Sequence, residues 1–296
     1  MADYRRELHF GLFVSPSSEK LDNTLALARI ADRTLDFLAV QDHPYQARFL
    51  DSWALMATLL ARTQRVRVVS DVASLPLRVP AVLAKTAASL DVISGGRFEL
   101  GLGAGAFWEA IAAMGGDVRS PREAAEALEE AVQVIRLMWS GERSVRFDGR
   151  HYRLDGAHPG PRPAHPMQIW LGVGGPRLLG FLGRNADGWV PSNSYFPPEK
   201  LPDMQRRIDD AALAADRDPA TIVRAYNIFG EITQTSTAPF HGPVDQWVEE
   251  LTGLAVETGM DTFLFGTAED DAAQAEQFAK EVAPAVRAEV ERYRRG

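Results

Sequence analysis

Short apolar, β-branched runs alternate along the chain with longer segments whose apolar residues recur three and four apart, the two periods of strands and helices. His9–Val14 predicts a strand, followed by a helical pattern on Leu21, Leu25 and Ala28. Phe37–Val40 predicts a second strand, and a helix opens at Asp51, a good N-cap, with Trp53, Met56, Leu59 and Leu60 on one face. Segment 66–72 is the third strand, and Pro80 starts the next helix, where its missing N–H has no consequence. Segment 98–102 is the fourth. The helix after it is the best specified: Ser120-Pro121-Arg122-Glu123 is a capping box with proline at the first helical position. Ala124, Ala127, Leu128, Ala131, Val134, Ile135 and Met138 then form an apolar stripe that Gly141 can end.

The second half repeats the alternation. Strand 168–172 leads to a helix from Pro176, and strand 188–190 to a helix carrying Leu201, Met204, Ile208 and Ala211. Strand 222–229 leads to a helix with Val244, Trp247, Val248, Leu251 and Leu254 that Gly259 can terminate; strand 262–265 leads to a last helix from about Ala268. Eight strand–helix units in a chain of 296 residues suit a closed (β/α)8 barrel, with an open doubly wound sheet as the rival. Continuous apolar strands such as Phe37-Leu38-Ala39-Val40 fit parallel strands buried on both faces. One segment breaks the rhythm. Asp148-Gly149 inside 145–154 signals a hairpin, and a proline-rich loop 158–163 follows. Both read as an insertion around 142–166, between units four and five of a single domain 1–296, and the charged tail 287–296 reads as a solvated helix end.

Composition narrows the chemistry. There is no cysteine, which removes disulfides and thiol chemistry and fits a reducing cytoplasm. The net charge of −8 argues against nucleic-acid partners. The charged N-terminus lacks the apolar run of a signal peptide, and no apolar stretch is long enough to cross a bilayer. The histidines form neither His-x-His nor His-Glu-x-x-His, so no metal site is expected, and no Gly-x-Ser-x-Gly elbow exists. Gly101-Leu102-Gly103-Ala104-Gly105 imitates a dinucleotide fingerprint, but the strong helix start comes only at Ser120. Lys85 falls inside a helix, against a Schiff-base role.

In such barrels ligands bind where strands end and βα loops begin. The candidates are therefore Ser15 and Pro16; Gln41, Asp42 and His43; Ser70 and Asp71; the loop 103–108; the loop 172–177; and Ser192, Asn193, Tyr195 and Glu231. The fifth loop carries Gly172, Gly174 and Gly175, then Pro176 opening a helix and Arg177 in its first turn. That arrangement suits a phosphate, or the glycines serve only the tight turn. His43, beside Asp42, can move a proton near neutral pH. Phe107 and Trp108 either stack on a flat ring or line the core.

At these loops the chain resembles the luciferase-like flavin-dependent oxidoreductases over nearly its full length. The likeness is carried by residues 40–45 (VQDHPY), 75–85 (LPLRVPAVLAK), 90–105 (LDVISGGRFELGLGAG), 147–152 (FDGRHY), 169–177 (IWLGVGGPR) and 186–189 (ADGW). The resemblance implies a (β/α)8 barrel of bacterial-luciferase type holding the deazaflavin coenzyme F420, or reduced FMN, at the strand C-termini, with a small organic substrate. It implies hydride transfer with the deazaflavin, with Asp42 and His43 near the ring and His43 as the catalytic residue. With FMN it implies monooxygenation fed by a separate flavin reductase; the family also contains non-catalytic flavin carriers. A bulge with a non-proline cis peptide backs the ring in such proteins, here at Ser70-Asp71 or Asp71-Val72, with Asp71 standing where a small residue is usual. Cofactor contacts then fall on Ser70, Asp71, Val72, Gly103 and Gly105, and phosphate contacts on Gly172, Gly174, Gly175 and Arg177. A homo-oligomer is expected.

Overall fold

A computed structural model describes residues 3–267 and 271–296. Eight strands run parallel: β1 (His9–Val14), β2 (Phe37–Val40), β3 (Arg67–Ser70), β4 (Phe98–Gly103), β5 (Ile169–Leu171), β6 (Gly188–Trp189), β7 (Val223–Phe229) and β8 (Thr262–Gly266). Neighbours in sequence are neighbours in space, and β8 pairs with β1. The register Val68↔Phe98 and Val69↔Glu99 joins β3 to β4 and closes the ring. The sheet is a (β/α)8 barrel, not an open one.

The helices are α1 (Leu21–Thr34), α2 (Ser52–Arg62), α3 (Pro80–Ser94), α4 (Pro121–Trp139), α5 (Pro176–Asn185), α6 (Leu201–Leu213), α7 (Val244–Thr258) and α8 (Ala283–Arg295). Their ends follow local chemistry. Asp51 accepts from the N–H groups of Trp53 and Ala54, and Ser120 and Glu123 form both halves of the capping box. Gly141 and Gly259 adopt the left-handed φ of 74° just past α4 and α7, which a glycine does without strain. The expected start at Ala268 lies outside the described residues; Ala272–Gln277 and a π-helical turn, Phe278–Val282, lead into α8.

Barrel strands are buried on both faces. Between strands and helices lies the main core; inside the barrel Phe37, Ala39, Val69, Trp170, Val190, Val223, Ala225 and Leu264 form a second cluster. The guanidinium of Arg67 sits 4.1 Å from the Phe37 ring centre at the lower end of this filling.

Three features depart from the sequence reading. The third strand, expected to run over 66–72, is broken: β3 stops at Ser70 and Ala73–Ser74 pairs separately with Leu102 and Gly103, while the Asp71-Val72 peptide between them is cis, at one of the two positions the resemblance implies. A short helix, Trp108–Ala113, occupies the fourth loop. The tail is less solvated than its charges suggest, because Val290 is buried and Arg294 pairs with Asp3 at 2.7 Å. The insertion hairpin, Val145–Asp148 against Arg153–Ala157, forms its own two-stranded sheet. Glu130 of α4 fixes its turn by accepting from the N–H groups of Arg150, His151 and Tyr152 at 2.8–3.0 Å.

Candidate active site

At the C-terminal ends of the strands lies a cleft of two adjoining lobes, about 570 Å³ and 270 Å³. Both are lined by His43, Val72, Ala106 and Gly172–Gly174, so they are one site, within the size range of small-molecule pockets. The larger lobe sits over the barrel axis, lined by Phe13, Ser15, Gln41, Asp71, Ser192 and Asn227 among others. The smaller runs between the fourth and fifth loops, past Asp42, Ser74, Gly103 and Gly105 to Leu178 in α5.

The broken strand shapes the junction. Val72 reaches across the ends of β4 and β5, where a Cβ on Gly103 would lie 2.7 Å from its Cγ2 and one on Gly172 3.0 Å from it. A Cβ on Gly101 would come far inside contact distance of the Ser70 carbonyl oxygen. These glycines admit the bulge. Ser70 braces it from below, not from the cleft: its hydroxyl donates to the Gly101 carbonyl at 2.8 Å and accepts from the Gly101 N–H at 3.1 Å. Gly105 needs its φ of 99° and packs against Pro76.

Asp42 and His43, adjacent in sequence, have different tasks. The Asp42 carboxylate is fully engaged, accepting from Ser74 N–H at 3.0 Å and from Arg78 through two bonds of 2.9 and 2.7 Å. It ties the second loop to the far side of the bulge. His43 is free of such ties except at Nδ1, 2.5 Å from the Tyr45 hydroxyl. Burial pushes the imidazole below its ordinary value, with Asp42 opposing, so the ring is neutral at pH 7. Tyr45 is pushed up to about 12 by burial, with the Asp42 and Tyr195 charges adding, and keeps its proton. Phe107 packs edge-on to His43 at 5.6 Å and is half exposed, part of the cleft wall and not of the core.

Asp71 has no cation. Burial pushes its carboxyl up to about 7, with Asn227 opposing. Its Oδ2 and the Oδ1 of Asn227 are buried without hydrogen-bond partners, although Asn227 donates to Ser192 Oγ at 3.1 Å. Other buried polar atoms without partners, such as Gln205 Oε1 and Thr252 Oγ1, lie away from the cleft; these two face it.

In the fifth loop the candidates separate. Gly172 and Gly174 line the cleft, but a Cβ on Gly174 would strike the Phe196 ring, so packing alone demands glycine there. Gly175 caps α5 with no side chain, and nothing lies within 4 Å of where its Cβ would be. The first-turn N–H groups of α5 therefore have no capping side chain beside the cleft. Arg177 departs from expectation. Glu129 of α4 holds its guanidinium through two 2.8 Å bonds on the outer surface, and it does not line the cleft. Of the other candidates, Asn193 is turned away to brace β7, its Oδ1 accepting from Phe229 N–H at 3.1 Å, and Lys85 donates to Gly160 oxygen at 3.1 Å.

Sequence reading missed Asn227, Phe229, Phe196 and Thr267 as lining residues. Asn227 carried the one available signal, an amide in the otherwise apolar end of β7, Tyr-Asn-Ile-Phe.

Residues 8–238 match the model of the family described as luciferase-like monooxygenase. The chain belongs to that family. It is accordingly an oxidoreductase of a group that works with flavins and deazaflavins. An F420-dependent glucose-6-phosphate dehydrogenase of Kineococcus radiotolerans is 29% identical over 241 residues, covering 72% of this chain and 70% of the relative. Another protein of that name, from Gordonia bronchialis, is matched over only 59% of its length. An F420-dependent hydroxymycolic acid dehydrogenase of Mycobacterium tuberculosis is 29% identical, covering 77% and 64% of the two chains. Among solved structures, an F420-dependent secondary alcohol dehydrogenase bound to an F420–acetone adduct superposes with a TM-score of 0.84 at 21% identity, covering 95% of this chain and 99% of the other. That likeness is one of fold. Among the described residues no side-chain cluster could hold a metal ion, and no helix is long and apolar enough to cross a membrane.

Proposed function

We propose that the chain is an F420-dependent dehydrogenase or reductase acting on a small organic substrate. The observation that carries this reading is the placement of a neutral, partly buried imidazole against a bulged strand inside one two-lobed cleft, with an uncapped helix start at its edge. These residues fit a phosphorylated tricyclic coenzyme. Val72, which lines both lobes, offers a backing for the ring, Gly103 and Gly105 line its side, and Gly172, Gly174 and Gly175 lead to the α5 N–H groups for a phosphate. Ser70 and Asp42 position the bulge, and Arg177 lies outside the phosphate site. The bound coenzyme supplies hydride chemistry; the protein supplies position and proton handling.

His43 is the proton-handling residue. In the tautomer whose Nδ1–H donates to the Tyr45 hydroxyl, Nε2 keeps its lone pair and would take the proton of a substrate hydroxyl as that carbon gives its hydride to the bound coenzyme. Asp42 stabilises the imidazolium that results. In the reverse direction the same Nε2 returns the proton to a carbonyl oxygen. A neutral resting state, set by burial, suits this traffic. FMN-dependent monooxygenation, fed by a reductase, is the second reading, since the same bulge and loop would hold FMN. Titrating the protein with F420 and with FMN, followed by absorbance, tests both: micromolar or tighter binding of F420 with weak FMN binding is expected. Binding of FMN alone would replace the first reading with the second.

A further inference from the structure

The cleft contains a second acid that the proton-handling scheme does not use. Asp71 is 7% exposed and Asn227 2%, and both line the larger lobe with one oxygen each lacking any partner. Among the described residues no lysine or arginine lines either lobe, and the guanidinium of Arg78 is committed to Asp42 and Asp51. The remaining wall is neutral: Ser15, Gln41, Ser192, Ser194, Asn227 and Thr267.

We propose that Asp71 and Asn227 together form a hydrogen-bonding anchor in the large lobe for an uncharged oxygen, a hydroxyl or a carbonyl, of the molecule that fills the cleft, and that this lobe rejects anions. The inference rests on the functional reading above only for where ligands bind. An isolated carboxylate in so dry a place is costly to ionise, so the protonated form prevails up to neutrality and has an O–H to give. A ligand oxygen would accept that O–H and satisfy Asp71 Oδ2, and a ligand hydroxyl can donate in turn to Asn227 Oδ1. An anionic group would meet only one O–H donor, beside the acceptor Oδ1 of Asn227, and no counter-charge. That arrangement separates this lobe from one built for a sugar phosphate, whose charge calls for a cation or N–H cluster.

The ligand oxygen can belong to the coenzyme ring or to the substrate, and the test separates the two. Among the described residues the titratable groups lining the two lobes besides Asp71 are His43, Tyr45, Tyr195 and Asp42, the last paired with Arg78. Their titration, and that of a ligand phosphate, is removed by comparing wild type with Asp71→Asn, which keeps shape and polarity but cannot ionise. The dissociation constants of F420 and FMN, and of cyclohexanol added to the F420-loaded protein and read from the ring absorbance, are measured from pH 5.5 to 8.5. If the ring provides the oxygen, wild-type ring affinity falls by about 30-fold over that range relative to Asp71→Asn, for a group titrating near pH 7. If the substrate provides it, ring affinity is flat and cyclohexanol affinity falls instead. Asp71→Ala weakens the same ligand by roughly 2- to 10-fold at low pH. Equal pH dependence of wild type and Asp71→Asn for every ligand overturns the proposal. In the apo protein the ¹³C carboxyl resonance of Asp71, assigned by its loss in Asp71→Asn, is expected to titrate near pH 7; a midpoint near 4 also overturns it. Because that measurement needs no ligand, failure of both coenzymes to bind would sink the functional reading while the carboxyl titration still decides on Asp71.

Discussion

The two ends of the barrel each hold a histidine among carboxylates, and they have opposite properties. At the N-terminal end His165 bridges Asp91 at 2.9 Å and Glu99 at 3.0 Å, both carboxylates being buried. Their second oxygens accept from the N–H groups of Ala164 and Gln168, each at 2.7 Å. The Glu99 bond and charge, helped by Asp91 against partial burial, lift His165 to about 9, so it is a fixed cation. At the mouth His43 is pushed down, Asp71 is pushed up, and buried oxygens stand without partners. A saturated polar cluster can only hold structure. An unsaturated one costs stability and leaves hydrogen-bonding capacity for a ligand.

The contrast can be broken by substitution, beginning with the largest effect. His43→Ala should lower turnover at saturating coenzyme by roughly 10²–10⁴-fold, with coenzyme affinity and unfolding midpoint little changed. Paired measurement of dissociation constant and turnover checks this, and normal turnover would remove His43 from the chemistry. His165→Ala should do the reverse. It leaves two buried carboxylates facing each other, so denaturant unfolding should show a loss of about 3 kcal/mol with coenzyme affinity retained in the folded fraction. The wild type should show the same linkage with pH. His165 is raised from 6.5, so its stabilisation is complete below pH 6.5 and is lost as pH rises through about 9, visible as a falling melting temperature.

Asp71→Asn should stabilise the protein. The unfolded carboxyl ionises from about pH 4 upward while the folded one resists up to about 7, so the penalty grows over that window and levels off above it. Melting at pH 8 should therefore show a gain of the order of 2 kcal/mol, and a loss would mean that Asp71 has a structural partner. The smallest effects separate the two residues of the fifth loop. Gly175→Glu places an acid at the start of α5, leaving stability unchanged or raised by about 0.5 kcal/mol but weakening a phosphorylated coenzyme several-fold. Arg177→Ala should leave coenzyme affinity unchanged and lower stability by no more than about 1 kcal/mol, since its pair with Glu129 is on the surface.

Much of the barrel was legible because its periods are local. β1 and β2 begin and end at the residues expected, and Asp51, Pro80, Ser120, Gly141 and Gly259 punctuate the helices as their side chains dictate. The break at Asp71-Val72 was not legible from pattern, since 66–72 is apolar enough to read as one strand; only the family resemblance pointed to the cis bond. The site was legible as far as loop position determines it. His43, Asp71, Gly103 and Gly172 are where strand ends place them. The pairing that holds Arg177 away from the cleft was not legible because its partner, Glu129, comes from a helix 48 residues earlier. Asn227 was missed because it lies inside a strand, and its exposure to the cleft depends on where the barrel filling stops.

That filling has a kinetic consequence. Phe37, Trp170, Val69 and Leu264 are at most 1% exposed and plug the barrel axis beneath the cleft, with Arg67 closing the plug from below. The cleft is therefore a dead-end chamber served from the mouth. Two ligands sharing such a chamber enter and leave in sequence, the deeper-seated one arriving first and departing last, unless the lobes open separately to solvent. Steady-state rates should then follow a compulsory order, and product inhibition patterns would reveal which molecule occupies the bottom of the chamber.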